Sequence, residues 1–433
     1  MSPRLLRVAE RAQRDPSARF NSLAHLVDEA ALGQAFHRIR KDAAVGVDGI
    51  TKEQYGQRLE ENLRGLHERL KTMRYRHQPI RREHIPKANG KKRPIGISSV
   101  EDKIVQGALR EVLEAVYEQD FLECSYGFRP KRGAHDALRA VNQMVSREGI
   151  RVILEADIQA FFDSIDRKQL LELLQIRVAD GPLLRLLGKC LHVGVLEGEQ
   201  FSKLGEGTAQ GSIISPMFGN VYLHYVLDVW FERDIKPRLK GHARLIRYAD
   251  DFVMGFSSPD DAARVLEVLH KRMAKYGLTL HPDKTRLIPF KRPPTGGTGR
   301  SGSGTFDFLG FTIYWCRTRQ GGWRPGMKTR TAKVQGVLLS LSEWCRRHRH
   351  LKLADQHVAL SRRLRGHFQY FGVNGTGRSL QKVHLQATRT WLKWLQRRSQ
   401  RGNRLIWERF SAYLQAHPLP PPRICVQIWA RAP

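Results

Sequence analysis

Two adjacent aspartates interrupt an otherwise strand-forming run at Leu245-Ile246-Arg247-Tyr248-Ala249-Asp250-Asp251-Phe252-Val253-Met254-Gly255-Phe256. Apolar residues lead up to the pair and lead away from it, so strand, tight turn and strand are expected, with Asp250 and Asp251 at the turn. Neighbouring strand side chains point to opposite faces, whereas a turn lets both carboxylates point outward. Two carboxylates held this close repel each other where water is scarce. A hard divalent cation such as Mg²⁺, which takes oxygen ligands, relieves that repulsion. A solvated Asp-rich β-turn has the same residues, so the pair gains meaning only from the rest of the chain.

Charge narrows the setting. The 433 residues carry 74 Lys and Arg against 42 Asp and Glu, a formal charge of +32. That surplus calls for a polyanionic partner, most simply nucleic acid, bound in a salt-sensitive way. A basic membrane-surface protein would need a basic amphipathic helix or a lipidation signal, and the sequence shows neither. No apolar run is long enough to span a bilayer, and Met1 to Glu10 lacks a secretory apolar segment. Cys124, Cys190, Cys316, Cys345 and Cys425 are odd in number, with no C-x-x-C pair. Neither a zinc ribbon nor a disulfide framework is supported, and a reducing, cytoplasmic setting fits.

Length allows two to four domains. Residues 1–40 have helical spacing, and Thr51 is placed to cap a helix running to about residue 71. Ile85 to Ile97 reads as a β-hairpin around Asn89-Gly90, with Lys87 on one strand and Arg93 on the other, a pairing of cations that suits a triphosphate or simply a solvated surface. A helix from Val100 to Gln119 follows. Phe121 to Gly133 then mixes aromatics with Arg129, Lys131 and Arg132, a combination suited to stacking and phosphate contact. His135 to Arg147 is helical, with His135 structural.

Arg151 to Ile158 is a buried strand ending at Asp157, where loops commonly carry sites. Asp163 and Asp166 read as helix caps. Gly205 to Pro216 is a Gly/Ser-rich turn into a helix, and Gly211 would let a flat substrate approach the backbone. Pro259 to Tyr276 is helical, Lys284 follows on a turn and strand, 292–304 is low-complexity, and Phe306 to Ile313 resumes a strand. From Lys328 to Arg409 helical spacing returns with crowded basic residues and only Glu343, Asp355 and Glu408 as acids, which points to a helical domain with a basic face. Pro418 to Pro433 reads as a proline-rich tail.

Phosphoryl transfer needs positioning, charge compensation and metal ions about 4 Å apart rather than covalent help, and carboxylates on adjacent strands supply that. Several blocks carry a resemblance. They are Ile85-Pro86-Lys87 with Arg93-Pro94-Ile95-Gly96-Ile97, then Glu123 to Pro130, then Asp157-Ile158 with Phe161-Phe162-Asp163. Gln210-Gly211-Ser212-Ile213-Ile214-Ser215-Pro216, Tyr248-Ala249-Asp250-Asp251, His281-Pro282-Asp283-Lys284-Thr285 and Phe308-Leu309-Gly310-Phe311 complete the ordered set, and Leu364 to Gly372 follows. The chain resembles group II intron-encoded reverse transcriptases and maturases, in a compact form without an endonuclease module.

That resemblance implies an α+β right-hand polymerase. It divides the chain into an N-terminal helical extension (1–80), fingers (81–150), palm (151–290), a flexible loop (291–304), a thumb or maturase domain (305–415) and a tail (416–433). It implies two Mg²⁺ held by Asp157, Asp250, Asp251 and the Ile158 carbonyl. Lys87 and Arg93 would grip a deoxynucleoside triphosphate, with Phe161 and Phe162 near its sugar and Phe162 excluding a 2′-hydroxyl. Gln210 and Gly211 would line the nascent pair, and Lys284 would protonate pyrophosphate. Arg129, Lys131, Arg132, Arg362, Arg363 and Arg365 would touch nucleic acid. The implied partners are intron RNA and a DNA target or primer. An RNA-binding splicing cofactor with an idle polymerase site, or a domesticated enzyme of defence or repair, fits the same residues. Departures from the family pattern are Ala209 and Ser98, where proline is usual or frequent, and Gly219, where a larger residue is more common.

Overall fold

The computed structural model describes residues 2–86, 92–197, 200–203, 211–294, 303–399 and 405–429. The chain opens with helices α1 (Pro3–Arg14), α2 (Glu29–Arg38), α3 (Lys52–Gly56) and α4 (Leu59–Lys71). Thr51 closes a reciprocal capping box with Gln54. The single helix expected from Thr51 to residue 71 is broken, because α3 ends at Gly56 and α4 starts afresh at Leu59. Strands β1 (Ile80–Pro86) and β2 (Lys92–Ile97) pair antiparallel, with Ile85 opposite Arg93. Helices α5 (Val100–Tyr117) and α6 (Ala134–Arg147) lead into β3 (Val152–Asp157).

Next come α7 (Phe161–Ser164), α8 (Arg167–Gln175), α9 (Gly181–Leu191), β4 (Gly194–Glu197) and β5 (Gln200–Lys203). Asp166 caps α8 as expected, whereas Asp163 lies inside the single turn of α7. Helix α10 (Ser215–Leu223) continues without a break into a π-helix, His224–Ile235. Then β6 (Ala243–Tyr248), β7 (Asp251–Phe256), α11 (Pro259–Lys275) and β8 (Arg286–Pro289) follow. Strands β9 (Phe306–Phe308), β10 (Phe311–Arg317) and β11 (Trp323–Thr329) precede helices α12 (Thr331–Arg347), α13 (Leu353–Phe371), α14 (Gly377–Gln396) and α15 (Trp407–Ala416). No helix among the described residues is long and apolar enough to cross a membrane.

Among the described residues the strands form three sheets, ordered β2-β1-β4-β5, β6-β7-β3-β8 and β11-β10-β9. The second sheet is buried on both faces, and its period of two sorts its side chains. Val152, Leu154 and Ala156 of β3, with Phe252, Met254 and Phe256 of β7, join the core shared with the N-terminal helices and α8 to α11. Ile153 and Val253 face the other way, into a core with α6 and the β9–β11 sheet. Asp157 and Asp251 continue this second parity, so both stand on the face turned towards α6 and β9. A third core, around Trp391 and Phe368, holds α12 to α15 together.

The proline-rich C-terminus is not a loose tail. Leu419 and Ile428 are buried, the Cys425 and Val426 N–H groups donate to the Gly372 carbonyl, and Arg139 of α6 donates to the Gln427 carbonyl. Proline content suggested coil, but backbone groups freed at the end of α13 recruit this segment as their partner. Most of the low-complexity stretch, 295–302, lies outside the described residues.

Candidate active site

Antiparallel pairing of β3 with β7 runs from Val152 opposite Phe256 to Asp157 directly opposite Asp251. The hairpin β6–β7 closes with Tyr248 opposite Asp251, which leaves Ala249 and Asp250 as its two-residue turn. Asp157, far upstream in sequence, thus shares one corner with the adjacent pair Asp250 and Asp251. Ala249 takes a positive φ of 57°, a position that glycine fills more easily. Strain of this kind persists only when neighbours fix the backbone.

The surroundings are acidic and partly dry. Burial pushes the Asp251 carboxyl up to about 7, and Asp157, Asp250 and Glu155 push the same way against the opposing Leu309 N–H. That N–H lies 3.4 Å from Asp251 Oδ2. Lys284 closes the other side, its Nζ 2.6 Å from Asp157 Oδ2. It sits on a short 3₁₀ turn, Pro282–Lys284, held to β3 by the His281 N–H on the Asp157 carbonyl. A cleft of about 470 Å³ opens here, lined by Glu155, Asp157, Asp251, Lys284, Asp307, Arg330, Lys333 and Tyr370 among others. Among the described residues no three ligating side chains already converge on one point. The donor set is nonetheless all oxygen, and an uncompensated buried carboxylate faces two others. That chemistry fits a hard divalent cation.

Behind the corner lies a buried network that the sequence did not reveal. Arg247 is fully buried, and its guanidinium meets Asp228 of the π-helix at 2.7 and 2.5 Å. It also donates to Asn220 Oδ1, to Ser125 Oγ and to the Ala249 carbonyl, the last at 3.1 Å. Asn220 in turn donates to the Gly127 carbonyl at 2.8 Å. Gly127 abuts the turn so closely that a Cβ there would come within 2.4 Å of the Ala249 nitrogen. Bidentate pairing compensates both buried charges, and the remaining donors clamp the strained turn from inside. The available signal was positional: Arg247 follows Ala243 and Leu245 on the face of β6 that points into the core.

The other expected site residues divide. Ile158 is buried and bridges Leu280, one residue beyond Asp157. A turn with Ala160 at φ 47° then delivers Phe161 into the core and leaves Phe162 half-buried. Gly211 has φ 107°, and a Cβ there would strike the Gly96 carbonyl at 2.7 Å, so this turn rests on β2. Arg93 lies on β2, whereas Lys87 and Gln210 lie outside the described residues. Arg129 corrects the sequence reading. Its side chain is buried, with three hydrogen bonds to Glu118 and others to the Leu122 and Ser125 carbonyls, so its donors are spent inside the protein. Arg132 is half-buried on Glu123 at 2.7 Å, while Lys131 is exposed. Arg362, Arg363 and Arg365 are exposed on α13, with Arg363 stacked on Trp344 at 4.5 Å.

Residues 85–313 match the family model described as reverse transcriptase (RNA-dependent DNA polymerase). "Protein YkfC" of Escherichia coli is 32% identical over 376 residues, covering 78% of this chain and 94% of that protein. "Group II intron-encoded protein LtrA" of Lactococcus lactis is 35% identical over 212 residues, 47% of this chain but only 35% of that protein. An "uncharacterized 91 kDa protein in cob intron" of Schizosaccharomyces pombe is 43% identical over 163 residues, covering 38% of this chain and 20% of that protein. The chain belongs to the reverse transcriptase family, the RNA-directed DNA polymerases, and is similar to its group II intron-encoded members.

Proposed function

We propose that the protein copies a group II intron RNA into DNA at the Asp157, Asp250 and Asp251 corner, and that its basic helical region binds that RNA and assists its splicing. The observation that carries the reading is the β3–β7 register, which sets Asp157 opposite Asp251 beside the Asp250 turn. Two Mg²⁺ bound there would supply charge stabilisation and an activated primer hydroxyl. Asp157, Asp250, Asp251 and the Ile158 carbonyl would hold them. The primer 3′-oxygen gives its proton to solvent water and bonds the α-phosphorus, the bond to the bridging oxygen breaks, and pyrophosphate leaves. Lys284, 2.6 Å from Asp157, gives a proton to that leaving group. Lys87 and Arg93 grip the triphosphate, Phe162 lies by the sugar with Phe161 packed in the core behind it, and Gln210 with Gly211 lines the nascent pair. Lys131, Arg132, Arg362, Arg363 and Arg365 meet nucleic-acid phosphates.

Primer extension tests it, using purified protein, an RNA template, a DNA primer, dNTPs and Mg²⁺. Extension by the wild type and none by Asp250→Ala is expected. Wild-type protein that fails to extend, or Asp250→Ala that extends fully, overturns the catalytic reading. A parallel splicing assay separates the two activities: if Asp157→Ala and Asp250→Ala splice normally and the wild type never polymerises, the protein is an RNA-binding splicing cofactor.

A further inference from the structure

Gly219 lies inside α10, fully enclosed, with an ordinary helical backbone. Glycine in a helix interior is destabilising relative to alanine, so a buried one calls for a spatial reason. Two aromatic rings provide it. A Cβ at 219 would lie 2.9 Å from Phe161 Cε1 and 3.2 Å from Phe162 Cε1. The rings are packed on each other at 5.1 Å between centroids, and both rest directly on the α10 backbone. Phe161 is buried, while Phe162 is half-buried, five residues beyond Asp157.

We propose that Gly219 is a specificity-determining position: by carrying no side chain it seats Phe162 deep, and it thereby sets how strictly the site separates deoxyribo- from ribonucleoside triphosphates. The inference rests on the polymerase reading above and on Phe162 facing the sugar. A ring selects by bulk, because the ribose adds one hydroxyl where the deoxyribose has hydrogen. A methyl group at 219 must drive Phe161 off by about 0.5 Å to reach the 3.4 Å of ordinary contact (3.4 − 2.9), and Phe162 by about 0.2 Å (3.4 − 3.2). Phe161 has core behind it, so the displacement passes to Phe162, whose outer edge moves towards the substrate. Gly219 never touches the nucleotide and acts only through the ring.

Single-turnover incorporation of one dNTP and of its matching rNTP opposite an RNA template reads the effect. Gly219→Ala should raise the deoxy-over-ribo preference about tenfold, chiefly through weaker rNTP use, near the lower end of what one methyl-sized change achieves in a pocket. In a Phe162→Ala background the same substitution should leave the preference unmoved, an outcome that mere packing would not give. Phe161→Leu with Gly219→Ala relieves the tighter contact and serves if the single variant folds poorly. With the relay through Phe161 gone it keeps only the direct 3.2 Å contact on Phe162, and it should show a smaller rise. An unchanged or lowered preference in a Gly219→Ala protein that still uses dNTP overturns the inference. A wild type that incorporates no nucleotide overturns the polymerase reading itself and this inference with it.

Discussion

Gly127→Ala should disable catalysis while leaving most of the fold in place. The added Cβ would stand 2.4 Å from the Ala249 nitrogen, 3.0 Å from the Tyr248 carbonyl carbon and 3.2 Å from the Ala249 Cα. Real contacts of this kind essentially never fall under 3.0 Å, so the hairpin turn or the Gly127 loop must give by at least 0.6 Å (3.0 − 2.4). No flexible side chain can absorb the shift, because every atom met is backbone. The Gly127 side is anchored by Asn220 at 2.8 Å and by the Tyr126 N–H on the Arg247 carbonyl at 2.9 Å. The turn, with Asp250 and Asp251 attached, is what moves. Misplacing reacting groups by about 1 Å costs on the order of a hundredfold, so a loss of roughly ten- to a hundredfold in single-turnover extension is expected. Overpacking costs about 1–3 kcal/mol, which urea unfolding would register as a modest change. Gly65→Ala is the control. It lies in α4 with nothing within 4 Å of the new Cβ, and should extend at the wild-type rate with a gain of roughly 0.5–1 kcal/mol. Gly127→Ala extending as fast as Gly65→Ala would refute the reasoning.

Other perturbations separate charge, packing and binding. Arg247→Met leaves Asp228 buried and unpaired and should cost about 3–5 kcal/mol, whereas Arg247→Met with Asp228→Leu should recover most of the stability and none of the rate, since the Ala249 carbonyl stays unclamped; urea melts and extension assays read the split. His224 is buried, and burial with help from Arg247 lowers its pKa from 6.5 to about 3, so it is neutral in the native state. The unfolded chain takes up the proton first, so this contribution to stability is whole above about pH 6.5 and lost as pH falls towards 3, by about 2 kcal/mol at pH 5. His224→Phe should flatten that fall in melts at pH 7.5 and pH 5. Replacing Arg362, Arg363 and Arg365 together by Glu should weaken single-stranded RNA binding and reduce the slope of log affinity against log salt by about 0.7 for each phosphate no longer neutralised. An unchanged slope places the RNA elsewhere.

Legibility followed periodicity. Asp157, Asp250 and Asp251 stood out because strand patterns stop at them, and strand ends and turns are where side chains leave the core. The clamp behind them did not stand out. Arg247 reads as a polar residue beside a turn until β6 is set against β7, and Asp228 sits in a π-helix whose extra residue per turn spoils the 3.6 spacing. Arg129 looked like a phosphate ligand because its partner Glu118 lies on another element, beyond the reach of local pattern. The C-terminal segment looked like coil because prolines break helices and ladders. The Gly372 carbonyl at the end of α13, which accepts from the Cys425 and Val426 N–H groups, helps explain why it is held. Short-range rules found the groups that do chemistry, and missed those whose meaning depends on a distant neighbour.

The most direct test counts metal ions at the corner. Mn²⁺ titrated into the protein bound to primer, template and an incoming nucleotide, with a primer lacking its 3′-hydroxyl, can be followed by electron paramagnetic resonance. Two ions per complex are expected for the wild type, and Asp157→Asn or Asp251→Asn should lose at least one. Wild-type protein that takes up no site-bound Mn²⁺, or variants that bind as the wild type does, would contradict the claim that these three carboxylates form a metal centre.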